Sequence, residues 1–158
     1  MVKILVSACV LGAPVRYNGK DKKSSHPVLD RWVREGRVVS VCPEVLGGLG
    51  TPRAPSEIVR IQGLRRVAAS TGRDVTAEFE RGAALALDQA LTNDVRVAVL
   101  KEGSPSCGST WTYDGTFSGT RIAGEGVATE LLRRRGIQVF SEEEIDAADA
   151  LVDRLEAS

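Results

Sequence analysis

The three cysteines of this 158-residue chain, Cys9, Cys42 and Cys107, are the side chains whose type and placement indicate chemistry. Each follows a short apolar run rich in β-branched residues and stands beside Gly, Pro or polar residues. Thiolates are preferred ligands of soft metals, among them zinc and the iron of iron–sulfur clusters. If the three apolar runs are neighbouring parallel strands, their carboxyl ends lie at one edge of a sheet, and the cysteines meet there.

The pattern of the cysteines bears on the kind of metal. A structural zinc site takes four protein ligands, usually in closely spaced pairs. This chain has no C-x-x-C pair, and its one histidine, His26, lies in another segment. A [4Fe–4S] cluster held by three cysteines would leave one iron without a protein ligand, and such an iron can act as a Lewis acid. Burial as small hydrophobic residues, without metal, is the alternative for each cysteine.

Two nucleophile alternatives use the same residues. Cys9 and Arg16 form a C-x6-R sequence, which is one residue longer than the phosphate-binding loop of cysteine phosphatases. A Cys/His dyad would have to use His26, because the chain has no other histidine. Neither alternative explains why three cysteines follow three predicted strands.

The elements that must position the cysteines alternate along the chain. Apolar β-branched runs predict strands over residues 2–7, 38–41, 95–100 and 137–140. Apolar stripes at helical spacing predict helices that begin at Pro27, after Asp74 or Thr76, near Val127 and after a capping box at Ser141 and Glu144.

The remaining segments are less regular. Residues 46–57 are too rich in Gly and Pro for a regular element and predict a long loop, and residues 108–126 predict another. Residues 58–61 and 67–70 flank Gly63 and predict a short antiparallel hairpin. The whole pattern predicts one α/β domain over residues 1–158, Rossmann-like, with a mostly parallel sheet of about four to five strands and helices on both faces.

Composition limits the partners. Twenty-one basic residues balance twenty-one acidic ones, so no global field attracts nucleic acid or an anionic membrane. A local basic patch is the alternative to a solvated face for four arginines, Arg53, Arg60, Arg65 and Arg66. No apolar run approaches the roughly 20 residues needed to span a bilayer, and no signal peptide is recognisable. We expect a cytoplasmic protein with reduced thiols and no membrane partner; the sequence leaves the oligomeric state open.

Longer motifs surround the cysteines and cover essentially the whole chain. They include SACVLGAPVRYNG, VCPEVLGGLGTPRAPSE, LKEGSPSCG, YDGTFSG and GEGVATELLRRRGIQVFSE. In these motifs the chain resembles domain-of-unknown-function family 523, the family of the TudS-type thiouracil desulfidases. The resemblance implies an enzyme that converts 2-thiouracil, a small thiolated heterocycle, to uracil and sulfide with a [4Fe–4S] cluster bound by three cysteines. The cysteines that match those ligands are Cys9, Cys42 and Cys107.

The resemblance also implies roles for residues beside the ligands. In the family the unligated iron captures the sulfur of the thiocarbonyl while an acid/base group assists water at the ring carbon. The matching catalytic candidates are Glu44 and Ser104, whose alternatives are a capping and a turn role. Candidates for contacting substrate or cluster are Arg16, Arg53 and Lys101, each of which could equally be a surface charge.

Two further questions remain open from the sequence. Trp111, Tyr113 and Phe117 could stack on a pyrimidine or simply pack their loop. A non-catalytic iron–sulfur or sulfur-carrier module, and a metal-free α/β binding domain, are the competing functions.

Overall fold

The computed structural model describes residues 1–14, 16–19 and 25–158. Its strands, in chain order, are β1 (Ile4–Ser7), β2 (Val38–Val41), β3 (Ser56–Ile61), β4 (Leu64–Ala69), β5 (Val97–Leu100), β6 (Trp111–Tyr113), β7 (Arg121–Ala123) and β8 (Gln138–Ser141). Its helices are α1 (Pro27–Arg34), α2 (Pro43–Leu46), α3 (Thr76–Thr92), α4 (Val127–Arg134) and α5 (Ile145–Ala157). Of the loop that follows β1, Val15 lies outside the described residues.

Four parallel strands form the central sheet in the order β2-β1-β5-β8. The chain passes from β1 to β2 on one side and then returns across β1 to β5 on the other. The connections that leave β1 and β5 therefore diverge, which opens a crevice at their carboxyl ends where α/β proteins bind ligands. The predicted α/β fold with a parallel sheet is confirmed.

Helices cover both faces of this sheet, as predicted. Side chains alternate along β1, so that Ile4 faces α1 and α5 while Leu5 faces α3 and α4. Trp32 of α1 is completely buried, and its indole N–H donates to Asp149 Oδ1 of α5 at 3.1 Å. Burial from both sides explains why the strands of the sheet are continuous apolar runs.

The predicted antiparallel hairpin is also confirmed. Strands β3 and β4 pair in the register Ile58 with Val67 and turn at Gly63, whose φ of 79° favours glycine. Val67 packs against Phe79 of α3, and its N–H donates to Thr76 Oγ1 at 2.8 Å. The hairpin is thereby fixed to the start of α3.

Two elements lie outside the strands and helices that the sequence predicts. Helix α2 begins at Pro43, a favoured first helical residue, and packs against α3 with almost no space between the backbones. A Cβ atom on Gly82 would lie 1.8 Å from the Pro43 backbone oxygen, and one on Gly47 would lie 1.9 Å from the Glu78 oxygen. The second element is the short hairpin of β6 and β7. Both follow from tertiary contacts, which a single-sequence pattern does not contain.

The polar residues predicted at the starts of α3 and α5 accept hydrogen bonds from backbone N–H groups there. Asp74 Oδ1 accepts the N–H of Thr76 at 2.9 Å at the start of α3. Glu144 accepts the N–H of Ser141 at 2.9 Å, in the turn that leads into α5. Within the described ranges, none of the helices is both long and apolar enough to cross a bilayer.

Candidate functional site

Cys9 lies directly after β1, in a single turn of 3-10 helix over Ala8–Leu11. Gly12 closes this turn with a φ of 103°, a left-handed conformation that favours glycine, and its N–H donates to the Cys9 oxygen at 3.1 Å. The turn keeps the Cys9 side chain buried at the carboxyl end of the sheet.

Cys42 follows β2 and caps the amino end of α2. The backbone N–H groups of Glu44 and Val45 lie close enough to its sulfur to favour the thiolate. Burial raises the pKa of the Cys42 thiol, although these two amides act in the opposite direction. Because Cys42 directly precedes α2, the close packing of α2 on α3 positions its sulfur.

Cys107 stands in the loop between β5 and β6 and is buried. Its sulfur is hydrogen-bonded to the hydroxyls of Ser106 and Ser7. Ser7 is the last residue of β1, and its Oγ accepts the N–H of Lys101 at 2.9 Å. The loop that carries Cys107 is in this way tied to the strand that precedes Cys9.

The charge on one cysteine sulfur affects the pKa of another. Burial is the largest influence and raises the pKa of Cys9 to about 11 and that of Cys107 to about 12. Negative charge on Cys42 raises both pKa values further, and charge on Cys9 acts on Cys107 in the same sense. Buried thiolates that repel each other are unfavourable unless a cation offsets their charge. The structure thus brings together the three residues predicted as metal ligands.

The chemistry of the donors bears on the kind of metal. Among the described residues, no group of three His, Cys, Asp or Glu side chains is arranged to hold one metal ion. Thiolates are soft donors, and in an iron–sulfur cluster each cysteine thiolate binds a different iron atom.

Glu44 lies at the centre of a polar network next to the cysteines. Its Oε1 accepts the Nε–H of Arg53 at 3.1 Å. Its Oε2 is 3.3 Å from Ser104 Oγ and 3.2 Å from Ser106 Oγ. The structure therefore joins three predicted site residues, Glu44, Ser104 and Arg53, in one hydrogen-bonded group.

The other two basic candidates lie near Cys9. Lys101 pairs with Glu142 at 3.3 Å, and its Nζ donates to the Glu102 backbone oxygen at 2.8 Å. Positive charge on Lys101 and Arg16 acts to lower the pKa of Cys9, although burial outweighs it. Arg16 also lies over the ring of Tyr17, with 6.0 Å between the guanidinium carbon and the ring centroid.

Glu102, which the sequence prediction missed, organises the Cys107 loop. Its buried carboxylate accepts the N–H and hydroxyl of Ser109 at 2.7 and 2.9 Å, and those of Thr110 at 3.0 and 2.8 Å. Burial would raise the pKa of Glu102, but these hydrogen bonds lower it to about 2. The buried Glu102 carboxylate thus holds the Cys107 loop in place.

The nucleophile alternatives do not fit this geometry. His26 caps α1, accepting the N–H of Val28 at Nδ1, and its Nε2 lies 3.2 Å from Asp146. Both ring nitrogens are engaged away from the cysteines. Cys9 has a raised pKa, whereas a phosphatase nucleophile needs a lowered one.

Of the three aromatic side chains, Trp111 and Tyr113 take part in packing. The Trp111 ring covers Gly103, where a Cβ atom would lie 2.3 Å from it. Arg121 lies 3.9 Å from the Trp111 ring centroid, and Tyr113 meets the same ring edge-on at 5.3 Å. Phe117 is 40% exposed at the hairpin loop.

Three of the four arginines considered as a basic patch pair with carboxylates, and the fourth, Arg60, is exposed. Arg53 pairs with Glu44, Arg65 with Glu130 and Arg66 with Asp74. These ion pairs neutralise the local charge of the three arginines, and Arg53 is a largely buried partner of Glu44 rather than part of a solvated face.

Sequence signals for the missed residues were weak. Ser106 lies directly before Cys107, and Ser7 ends the first predicted strand, but serine is common in both settings. Glu102 and Glu142 lie just beyond strands, where charged residues are usually solvated. Their roles depend on the loops that pack around them.

Comparison with known proteins points to one family. The family model of 2-thiouracil desulfurase matches residues 4–144 of this chain. The solved structure of TudS, a [4Fe–4S]-dependent thiouracil desulfidase, superposes with a TM-score of 0.92 at 52% identity, covering 97% of this chain and 99% of that one.

A curated bacterial relative extends the match. The uncharacterized protein YbbK of Bacillus subtilis (strain 168) is 42% identical over 149 residues, which cover 90% of this chain and 97% of the relative. The residues matched by the family model include all three cysteines. The chain therefore belongs to the 2-thiouracil desulfurase family.

Proposed function

We propose that this protein is a [4Fe–4S]-dependent desulfidase that removes sulfur from a thiolated nucleobase such as 2-thiouracil, giving uracil and sulfide. The observation that carries the proposal is the placement of three thiols, two of them buried and one partly buried, beyond the carboxyl ends of β1, β2 and β5. Likeness to a [4Fe–4S]-dependent thiouracil desulfidase over nearly the whole chain supports it. The three cysteines form no disulfide, which suits a reducing cytoplasm.

The proposed cluster ligands are Cys9, Cys42 and Cys107. The chain holds these soft donors on three separate strand ends, so that the sheet fixes their spacing. When bound, a cluster with three cysteine ligands supplies one iron without a protein ligand, which is a Lewis acid for a thiocarbonyl sulfur.

Glu44 and Ser104 are the proposed groups that handle protons and water. The overall reaction exchanges the sulfur of the thiocarbonyl for the oxygen of one water molecule, and its products are uracil and hydrogen sulfide. It needs no electron donor or acceptor. Glu44 accepts a proton from the water that attacks the ring carbon, and the Ser104 hydroxyl orients this water or the substrate.

The basic candidates divide into two roles. Arg53 holds Oε1 of Glu44, and we assign it to orienting this carboxylate rather than to direct contact with substrate. Arg16 and Lys101 lie near Cys9, where their positive charge stabilises anionic sulfur. They are the proposed contacts for the substrate or for the sulfide that leaves it.

The test uses the full chain, purified and reconstituted without oxygen. Iron and acid-labile sulfide are measured first, and then uracil formation and sulfide release from 2-thiouracil. We expect about four irons per chain and equal amounts of the two products. Cys107→Ala should lose both cluster and turnover, and Glu44→Gln should keep the cluster but lose turnover. Ser118→Ala, at an exposed serine of the hairpin loop, is the matched control.

Each alternative gives a different result. A bound cluster without sulfide release would indicate a non-catalytic iron–sulfur or sulfur-carrier module. A chain that binds no iron would be a metal-free binding domain. Turnover by a Cys107→Ala variant that keeps its cluster would refute the ligand assignment.

A further inference from the structure

The direction of the Ser104 hydroxyl is fixed by its neighbours. Ser104 Oγ accepts the N–H of Ser106 and the N–H of Cys107, both at 3.1 Å. A hydroxyl oxygen has two lone pairs, and these two amides use both. The Ser104 hydrogen therefore points outward, to Ser106 Oγ at 2.9 Å or to Glu44 Oε2 at 3.3 Å.

The hydroxyl hydrogen of Ser106 likewise has two possible acceptors. Because Ser104 Oγ accepts no further bond, the Ser106 hydrogen goes to Glu44 Oε2 at 3.2 Å or to Cys107 Sγ at 3.5 Å. Ser106 is only 1% exposed, so bulk water does not compete for it.

These choices combine in four ways, and two of the four bear directly on the link between Glu44 and Cys107. In one, Ser104 donates to Ser106 and Ser106 donates to Glu44. In the other, Ser104 donates directly to Glu44 and Ser106 donates to the Cys107 sulfur. Glu44 keeps a donor on Oε2 in both arrangements, while Arg53 holds its other oxygen.

We propose that Ser106 is a positioning residue that links the Glu44 carboxylate to the sulfur of Cys107 through one shared hydroxyl. This proposal adds a role for Ser106 to the proposed desulfidase function. Its expected effect on kcat rests on that function, whereas its expected effect on the cluster potential does not. A donor to a cluster sulfur stabilises added negative charge there, and a donor to the carboxylate keeps the proposed base aimed at its water. A single side chain thus serves both the cofactor and the acid/base group.

The experiment compares Ser106→Ala and Ser106→Thr with the parent and with Ser118→Ala, all reconstituted without oxygen. Iron content, the reduction potential of the cluster, and kcat and KM for 2-thiouracil are measured. For Ser106→Ala we expect full iron content, a more negative potential, a kcat lower by about tenfold to hundredfold and a KM within about twofold. Ser106→Thr keeps the hydroxyl and should restore both kcat and potential.

Several results would overturn the proposal. They are an unchanged potential in Ser106→Ala, a kcat within about twofold of the parent, a loss of iron that accounts for the loss of turnover, or a well-loaded Ser106→Thr variant that restores neither property. If the threonine variant does not fold, the alanine variant decides through its potential and kcat. If the parent releases no sulfide from 2-thiouracil, the proposed function fails, and the potential alone still tests the Ser106–Cys107 link.

Discussion

Replacing Glu102 by Gln tests whether a buried carboxylate holds the Cys107 loop in place. The change keeps the shape of the side chain but removes its charge and turns one acceptor oxygen into an amide nitrogen. With the nitrogen in place of Oε2, the Ser109 and Thr110 hydroxyls would have to turn and accept from it. The N–H groups of the same two residues would keep an acceptor, but a neutral one, in a position that is 6% exposed.

The pKa of Glu102 gives the magnitude. Its shift from 4.5 to about 2 measures how much better the folded protein stabilises the ionised form. Each pKa unit corresponds to about 1.4 kcal/mol, so Glu102→Gln should lower the free energy of unfolding by about 3 kcal/mol near neutral pH. For a chain of this size, that loss lowers the melting temperature by about 6 to 12 °C.

The sign of the pH dependence follows from the lowered pKa. The Glu102 contribution is fully present above the unfolded pKa of 4.5 and is lost as pH falls toward the folded value of about 2. The difference between parent and variant should therefore be constant from about pH 7 to 6 and fall by more than half by about pH 3.

The assay is reversible unfolding of the cluster-free protein, followed by circular dichroism over this pH range. Glu80→Gln, at an exposed position of α3, is the control for loss of one negative charge and should be nearly neutral. The Glu102→Gln variant should also retain less iron after reconstitution, because its Cys107 loop opens more often. A stability loss below about 1 kcal/mol near neutral pH, or one that does not change with pH, would refute this reasoning.

Three further predictions concern the elements that hold the site. Gly82→Ala should destabilise the fold by about 1 to 3 kcal/mol and lower iron retention, because the added methyl group would overlap the backbone oxygen that begins α2. Arg53→Lys should lower kcat by about tenfold with normal iron content, because lysine lacks the planar guanidinium that holds Glu44, and normal kcat would contradict the assigned role. Thr76→Val should cost about 1 to 3 kcal/mol, because the buried N–H of Val67 loses its acceptor, whereas Thr76→Ser should be milder; equal losses would exclude the hydrogen bond as the cause.

The predictions for Gly82→Ala and Arg53→Lys each have a control. Glu80→Ala changes an exposed position of α3 without touching α2 and should leave iron retention unchanged. Retention of iron by Gly82→Ala at the parental level would contradict the idea that helix contact positions Cys42. For Arg53, kcat and iron content must be measured on the same preparation, since loss of cluster would mimic loss of orientation.

The central sheet and the meeting of the cysteines were predictable because both follow from short-range patterns. Apolar β-branched runs mark the strands, and the topology of a parallel sheet places all their carboxyl ends on one edge. Cys9 and Cys42 lie at the ends of such runs, so their approach required only that the strands be neighbours, whereas Cys107 also depends on the loop that follows β5.

The parts that the sequence did not reveal depend on contacts between distant segments. Helix α2 is four residues long and is stabilised by the approach of Gly47 and Gly82, which are far apart in the chain. Glu102 was missed because a buried carboxylate is recognisable only when the amides that surround it are known. The hydrogen-bonded group around Glu44 likewise unites residues from two loops.

Because the three thiols follow separate strands, the sheet must form before the iron site does. In motifs such as C-x-x-C, an unfolded chain already presents two ligands side by side and can capture metal before it folds. Here β1 must pair with β2 or with β5 before any two of the sulfurs become neighbours, and with both before all three do. Loading of iron is consequently a late event, performed on a chain whose sheet already exists, and the empty protein is expected to be a folded precursor rather than a random coil.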